Sequence, residues 1–156
     1  GAGRPGGSDK RQGIAFRSGV NGKYSNLIIA GFSDGGIFFE EATIAQAMAG
    51  RLSLTGTMLF DNGPVGGAKN VSDVTKIGAT DFDVRGWVMG QPGNSEQDPM
   101  MQDPYSQAAP KFTLRPGSPA LTAGSPVSDS FFSPVAYVGA FGTEDWTAGW
   151  TAFPAN

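Results

Sequence analysis

The stretch "SNLIIAGFSDGGIFFE", residues 25–40, constrains the fold more than any other part of the chain. Two short apolar runs, Leu27–Ile29 and Ile37–Phe39, are joined by Gly-Phe-Ser-Asp-Gly-Gly. Runs this short, closed by Gly, Asn, Asp or Ser, read as strands rather than helices. The linker is longer than a two-residue hairpin loop and reads as a corner. The same beat sounds in "GIAFRSG" (13–19), "GGIFFEE" (35–41) and "RLSLTGTMLF" (51–60). With 24 glycines and 11 prolines in 156 residues, the chain turns too often for long helices.

Strand, corner and strand in regular succession is how a parallel β-helix builds each coil. The expected fold is therefore all-β, a right-handed parallel β-helix. Leu27–Ile29, Ile37–Phe39 and Leu52–Leu54 are its expected stacked strands, with inward side chains. One helix interrupts the pattern. "ATIAQAMAG" (42–50) predicts it over 43–49, with Thr43 as N-cap, Ile44, Ala45 and Met48 at helical spacing, and Gly50 as the stop. "FDVRGWVMG" (82–90) reads as one more strand. Residues 91–110, with prolines at 92, 99, 104 and 110, read as a long loop. The chain thus divides into a flexible N-terminal segment (1–12), coils (13–90), the long loop (91–110) and a C-terminal capping segment (111–156).

Composition removes whole classes of function. Cysteine and histidine are absent, so a thiol nucleophile, a Cys/His zinc site or a Ser-His-Asp triad cannot be built from this chain. The net charge is −3 and no basic stripe runs along the sequence, so nucleic acid is not an expected partner. No apolar run is long enough to span a membrane. The opening "GAGRPG" matches G-x-G-x-x-G, but no strand precedes it and Pro5 sits inside, so no cofactor is expected there. Asp81 and Asp83 would share one face of a strand and, with Asp61 or Asp73, offer hard oxygen ligands to Ca²⁺. No loop spacing supports that site, and solvated acids are the expectation. Glu40 and Glu41 point to opposite strand faces, and Asp98 and Asp103 lie in the long loop. No catalytic, cofactor or metal residue is assigned. Asn70-Val71-Ser72 is a formal glycosylation sequon without a supporting context.

The last segment is loaded with rings. Phe131, Phe132, Tyr137, Phe141, Trp146, Trp150 and Phe153 are seven of the chain's 17 aromatics. At roughly 150–250 Å² each, so much apolar area is expected to be buried, as a cap on the coils or in a permanent interface. The candidate contacts for a partner or a glycan are Trp146, Trp150 and Tyr137.

"PKFTLRPGSPALTAGSP" (110–126) resembles the "P-x-F-x-L-x-P-x-S-P-A-x-x-x-G" closing motif of many bacterial secreted β-helix proteins. "FFSPVAYVGAFGTEDWTAGWTAF" (131–153) is similar to the terminal segment of one family among them, large lipoprotein-like surface proteins. "GIAFRSGVNGKYSNLIIAGFSDGGIFFEE" is similar to that family's last coils. The resemblance covers residues 13–62 and 110–153. It implies a right-handed parallel β-helix exported to the outer membrane, periplasm or surface of a Gram-negative-type bacterium. It also implies further coils N-terminal to Gly13, so the chain is expected to be a processed or excised piece of a longer product. The motifs of the pectin-cleaving β-helix enzymes are missing: there is no His, and no lyase pattern surrounds Arg17, Arg51 or Arg85. The expected function is non-enzymatic, structural or binding, with other protein chains or the missing coils as partners. A carbohydrate-binding or polysaccharide-degrading module is the alternative.

Overall fold

The structure is a computed structural model and describes residues 12–63, 69–72, 76–106 and 108–152. It is mostly β, with short two-stranded sheets and two short helices. Three sheets are parallel. They pair β1 (Gln12–Phe16) with β4 (Gly35–Phe39), β2 (Gly22–Ser25) with β5 (Leu52–Thr55), and β3 (Ile28–Ala30) with β6 (Met58–Phe60). The three strand runs singled out in the sequence are all in parallel pairs. They do not stack on one another, however; each lies in a different sheet beside a strand the sequence marked less clearly.

The order of the pairs carries the architecture. The chain visits the three sheets in the sequence β1, β2, β3 and then again in the sequence β4, β5, β6. Gly22 pairs with Leu52 and Ile28 with Met58, so both registers advance by 30 residues. A third pass begins with parallel bridges from Ile37 to Val71 and from Met58 to Ser95. The corner before the third sheet recurs as well: Asn26, Gly56 and Gly93 occupy equivalent places with φ of 57°, 60° and 74°. Their left-handed backbone favours Gly or Asn, which is what the sequence supplies at each pass.

Alternation along the strands sorts side chains into two cores. In β5, Leu52 and Leu54 point inward and Ser53 and Thr55 outward. Thr55 Oγ1 lies 3.0 Å from Ser25 Oγ on the neighbouring strand. Ile29 and Leu59 enter the first core with Phe16, Ile37, Phe39 and Val71. Rings run through it: Phe16 packs on Phe39 at 5.0 Å, and Phe39 on Phe82 and Trp87 at 5.3 and 5.2 Å. Ile28, Ala30 and Met58 face the other way, into a second core with Leu114, Ala120 and Val138. The β3–β6 sheet is therefore buried on both faces, its outer one under the C-terminal segment. Burial also grows along the passes: β1 and β2 are mostly half-buried, β4 and β5 mostly buried or alternating.

Several sequence expectations are corrected. α1 spans Glu41–Met48 with Glu40 at the N-cap position and no side-chain cap. Thr43 is not the cap but a buried residue of the helix, and Met48 is exposed. The expected stop holds, with Gly50 at φ 68°. The strand expected at 82–90 is helix α2, Val84–Met89. Phe82, Val84 and Val88 satisfy a strand's alternation, but Val84 and Val88 are also one helical turn apart, and Asp83 decides the matter. Its Oδ1 accepts from Gly86 N at 2.8 Å, an N-cap that strand geometry cannot offer. Among the described residues there are thus two short α-helices, and antiparallel pairs also occur: β7 (Lys76–Ile77) with β8 (Thr80–Asp81), and β9 (Met101–Asp103) with β10 (Lys111–Leu114). Residues 91–110, expected as one long loop, hold the Ser95 bridge and β9. The N-terminal segment 1–11, Asp73 and Phe153 lie outside the described residues.

Candidate binding surface

The C-terminal segment is anchored by a handful of residues, most of them in the "PKFTLRPGSPALTAG" stretch. Leu114 and Ala120 fill the second core. Ser118 Oγ donates to Pro99 O at 2.7 Å and accepts from Ala120 N at 3.1 Å, starting a 3-10 turn over Pro119–Leu121. Gly124 N donates to Ala136 O at 2.8 Å. A Cβ at Gly124 would lie 2.7 Å from the Ala136 carbonyl carbon, so only glycine allows that approach. Asn26 ties the segment to the corner between β2 and β3. Its Oδ1 accepts from Ser125 N at 2.7 Å, its Nδ2 donates to Ser125 O at 2.9 Å, and its carbonyl accepts from Gly139 N at 2.9 Å. Val138, next to Gly139, is the deepest residue of the aromatic stretch and is fully buried.

Beyond these anchors the rings do not turn inward. Phe131 and Phe132 are 85% and 54% exposed, Trp146 55% and Trp150 68%. The expectation that the aromatic segment packs into the chain's own coils fails for these four. The segment from 123 to 152 has no helix or strand to aim a side chain inward; Val138 is its buried core residue, with Ala123 and Tyr137 packed partly against the same core. The rings stack on one another instead. Phe112 meets Phe141 at 5.7 Å, Phe141 meets Trp146 at 5.3 Å and 16° between planes, and Trp146 meets Trp150 at 5.6 Å. Asp145 orders the turn that carries both indoles, accepting from Thr147 N at 3.0 Å. Trp146 Nε1 donates to Ala140 O at 2.9 Å, and Trp150 Nε1 to Trp146 O at 2.8 Å.

Of the three predicted contact residues, the structure brings Trp146 and Trp150 together and leaves Tyr137 elsewhere. Tyr137 is half-buried against the second core, its ring over Gly142. Trp146 is the middle ring of the stack, so its neighbours hold the places a sugar ring would take. Phe112 and Phe141, which the sequence did not single out as contacts, line an apolar cleft of about 410 Å³ with Leu27, Ile28 and Met101.

A smaller cleft of about 270 Å³ has a mixed lining, with Asp98, Asp103, Tyr105 and Arg115 beside Phe60 and Met100. Its arginine is engaged, Nη2 donating to Gln102 O at 2.6 Å. Burial, and then the nearby Asp61 and Asp98 carboxylates, push the Tyr105 phenol up to about 12.

Four of the other acids have structural partners. Asp83 caps α2, and Glu40 accepts from Ser18 N at 3.1 Å and pairs with Arg17 at 3.6 Å. Glu41 holds the β7–β8 turn, accepting from Ala79 N at 2.9 Å and Thr80 Oγ1 at 3.1 Å. Asp98 Oδ1 accepts from Met100 N at 2.7 Å. Among the described residues no three His, Cys, Asp or Glu side chains gather to hold a metal ion. Arg85 donates to Glu96 through both terminal guanidinium nitrogens, Nη1 and Nη2, and these hydrogen bonds hold the Glu96 carboxyl below its usual range. No helix among the described residues is long and apolar enough to cross a membrane. No family model, curated protein or solved structure matches the chain.

Proposed function

We propose that this chain is a C-terminal set of coils from a right-handed parallel β-helix, serving as a non-enzymatic structural or binding module of an extracellular or cell-surface bacterial protein. The observation that carries the reading is the repeated pass through three parallel sheets, with the same left-handed corner at Asn26, Gly56 and Gly93. In such a coil each pass covers the strand edges of the one before it. The second pass is covered by the third through the bridges at Val71 and Ser95. Among the described residues no strand pairs with the outer edges of β1, β2 and β3. An uncovered edge of parallel strands is a template for further strands. The module's partner is accordingly another β coil, from the same precursor or from another chain, stacked on β1–β3. The absence of His and Cys supports a role without catalysis, and the resemblance of residues 110–126 to a closing motif supports the placement at the surface of a bacterium.

Hydrogen exchange tests the proposal. Gly22 N donates to Arg51 O and Asn26 N to Thr55 O, both at 3.0 Å, so these amides face β5. Alternation turns the Lys23 amide to the outer edge. In the isolated chain Gly22 and Asn26 should be protected and Lys23 should exchange fast. In a longer product carrying upstream coils, Lys23 should become protected too. A Lys23 amide that exchanges equally fast in both would refute the stacking partner.

A further inference from the structure

The geometry points to a second interaction surface, beside the second core, which fits an extended peptide segment with a large apolar anchor flanked by lysine or arginine. Its cleft reaches β3 through Ile28, so it adjoins the edge on which a further coil would stack. Three observations converge on it. First, the cleft of about 410 Å³ and the ring stack are one surface, because Phe112 and Phe141 belong to both. The cleft offers depth for an apolar side chain, and the stack extends the apolar floor outward to Trp150.

Second, the area is of the size that marks an interaction site. Trp146 and Trp150, at 55% and 68% exposure, leave roughly 200–300 Å² of their surface in water between them. With the walls of the cleft added, the patch matches the largest that soluble monomers usually leave exposed. It falls short of an obligate dimer face and suits a peptide-sized partner. The rings are also held in place by hydrogen bonds from both indole nitrogens, so little order has to be created on binding.

Third, the tail that carries the stack holds one sign of charge. Arg115 is the last basic residue of the chain, and Asp129, Glu144 and Asp145 follow it. In the chain Glu144 and Asp145 lie between Phe141 and Trp146, directly before the first indole. A second copy docking through the same face would set these carboxylates against their equivalents, which disfavours self-association. A partner with basic residues beside its apolar anchor gains from them instead.

The probe is a fluorescein-labelled peptide, Lys-Lys-Gly-Leu-Phe-Gly-Lys-Lys, titrated with the full chain and followed by fluorescence anisotropy. Two counterparts accompany it, one with every Lys replaced by Glu and one with Leu-Phe replaced by Gly-Gly. The lysine peptide should bind, the other two should bind at least about tenfold more weakly, and added salt should weaken the first. Trp150→Ala should reduce binding about tenfold while melting like the parent, since Trp150 is the outermost ring. Glu144→Gln should flatten the salt dependence. Equal binding of all three peptides, or of none, overturns the inference. So does Trp150-dependent self-association, or Trp150-dependent binding to neutral oligosaccharides or zwitterionic vesicles in place of the lysine peptide.

Discussion

Replacing Asn62 with alanine should cost far more than its size suggests. Asn62 is completely buried, and its side chain joins three consecutive parts of the chain. Its Oδ1 accepts from Phe32 N at 3.1 Å, and its Nδ2 donates to Ile29 O at 2.9 Å and Asn70 Oδ1 at 3.0 Å. Asn62→Ala removes all three bonds and leaves the Phe32 amide without its acceptor. Each buried polar group stripped of its partner costs about 1–3 kcal/mol, which together with the small void makes about 3 kcal/mol here. Against a total stability of roughly 5–15 kcal/mol that is a large fraction. For a chain of this length it corresponds to a drop in melting temperature of about 6–12 °C, measured by circular dichroism. Asn62→Asp supplies a second readout. The new carboxylate still accepts from Phe32 N, but it faces the Ile29 carbonyl and Asn70 Oδ1 without a proton. Its folded-state pKa should be raised above the unfolded value, so the variant should be most stable below pH ~4 and lose stability as pH rises through the folded pKa. An Asn62→Ala protein melting within 2 °C of the parent would refute the view that this side chain stitches successive passes together.

Other consequences are equally open to measurement. Thr57 is buried with no partner for its Oγ1, so Thr57→Val should leave stability unchanged or raise it by up to ~1 kcal/mol in urea denaturation; a clear loss would mean the hydroxyl is satisfied. Gly124→Ala forces a Cβ against the Ala136 backbone and should destabilise by about 1–3 kcal/mol, with limited proteolysis showing earlier cleavage between 123 and 152. Tyr105, whose phenol is pushed up to about 12, should titrate late in absorbance at 295 nm. Because its folded pKa lies above the ordinary value near 10, its contribution is complete below pH ~10 and is lost as pH rises towards 12; Tyr105→Phe should remove that part of the alkaline destabilisation.

How much of this was legible in the sequence varies from element to element. The parallel pairing was, because the runs at 27–29, 37–39 and 52–54 are short, apolar and closed by corner residues. Their partners were not: β2, "GKYS", has no apolar run to announce it, yet it pairs with β5 along its whole length. The helix at 84–89 hid because Val84 and Val88 satisfy two periods at once, and only the Asp83 side chain breaks the tie. The aromatic tail drew the wrong expectation for a physical reason. Area alone says that rings prefer burial, but burial needs a backbone that aims them, and the glycine- and proline-punctuated tail aims Val138 fully and, of its rings, Tyr137 in part. The rings that do fill the core, Phe16, Phe39, Phe82 and Trp87, are scattered over 72 positions and meet only through the fold. The contact residues were half legible. Trp146 and Trp150 meet because four residues separate them in a turn, whereas Phe112 and Phe141 join them from distant parts of the sequence.

The most direct test of the coil architecture uses the fact that the chain has no cysteine of its own. Lys23 and Ser53 are register partners in one parallel sheet, and Ala15 and Phe38 in another. Adjacent strands lie about 4.8 Å apart, within the range that a disulfide bridges. Lys23→Cys/Ser53→Cys and Ala15→Cys/Phe38→Cys, each made separately and oxidised at low protein concentration, should both give monomeric intramolecular disulfides in high yield, with the circular dichroism of the parent retained. Failure of either pair to close within one chain, or closure only between chains, would contradict the repeated parallel pass on which the proposed β-helix rests.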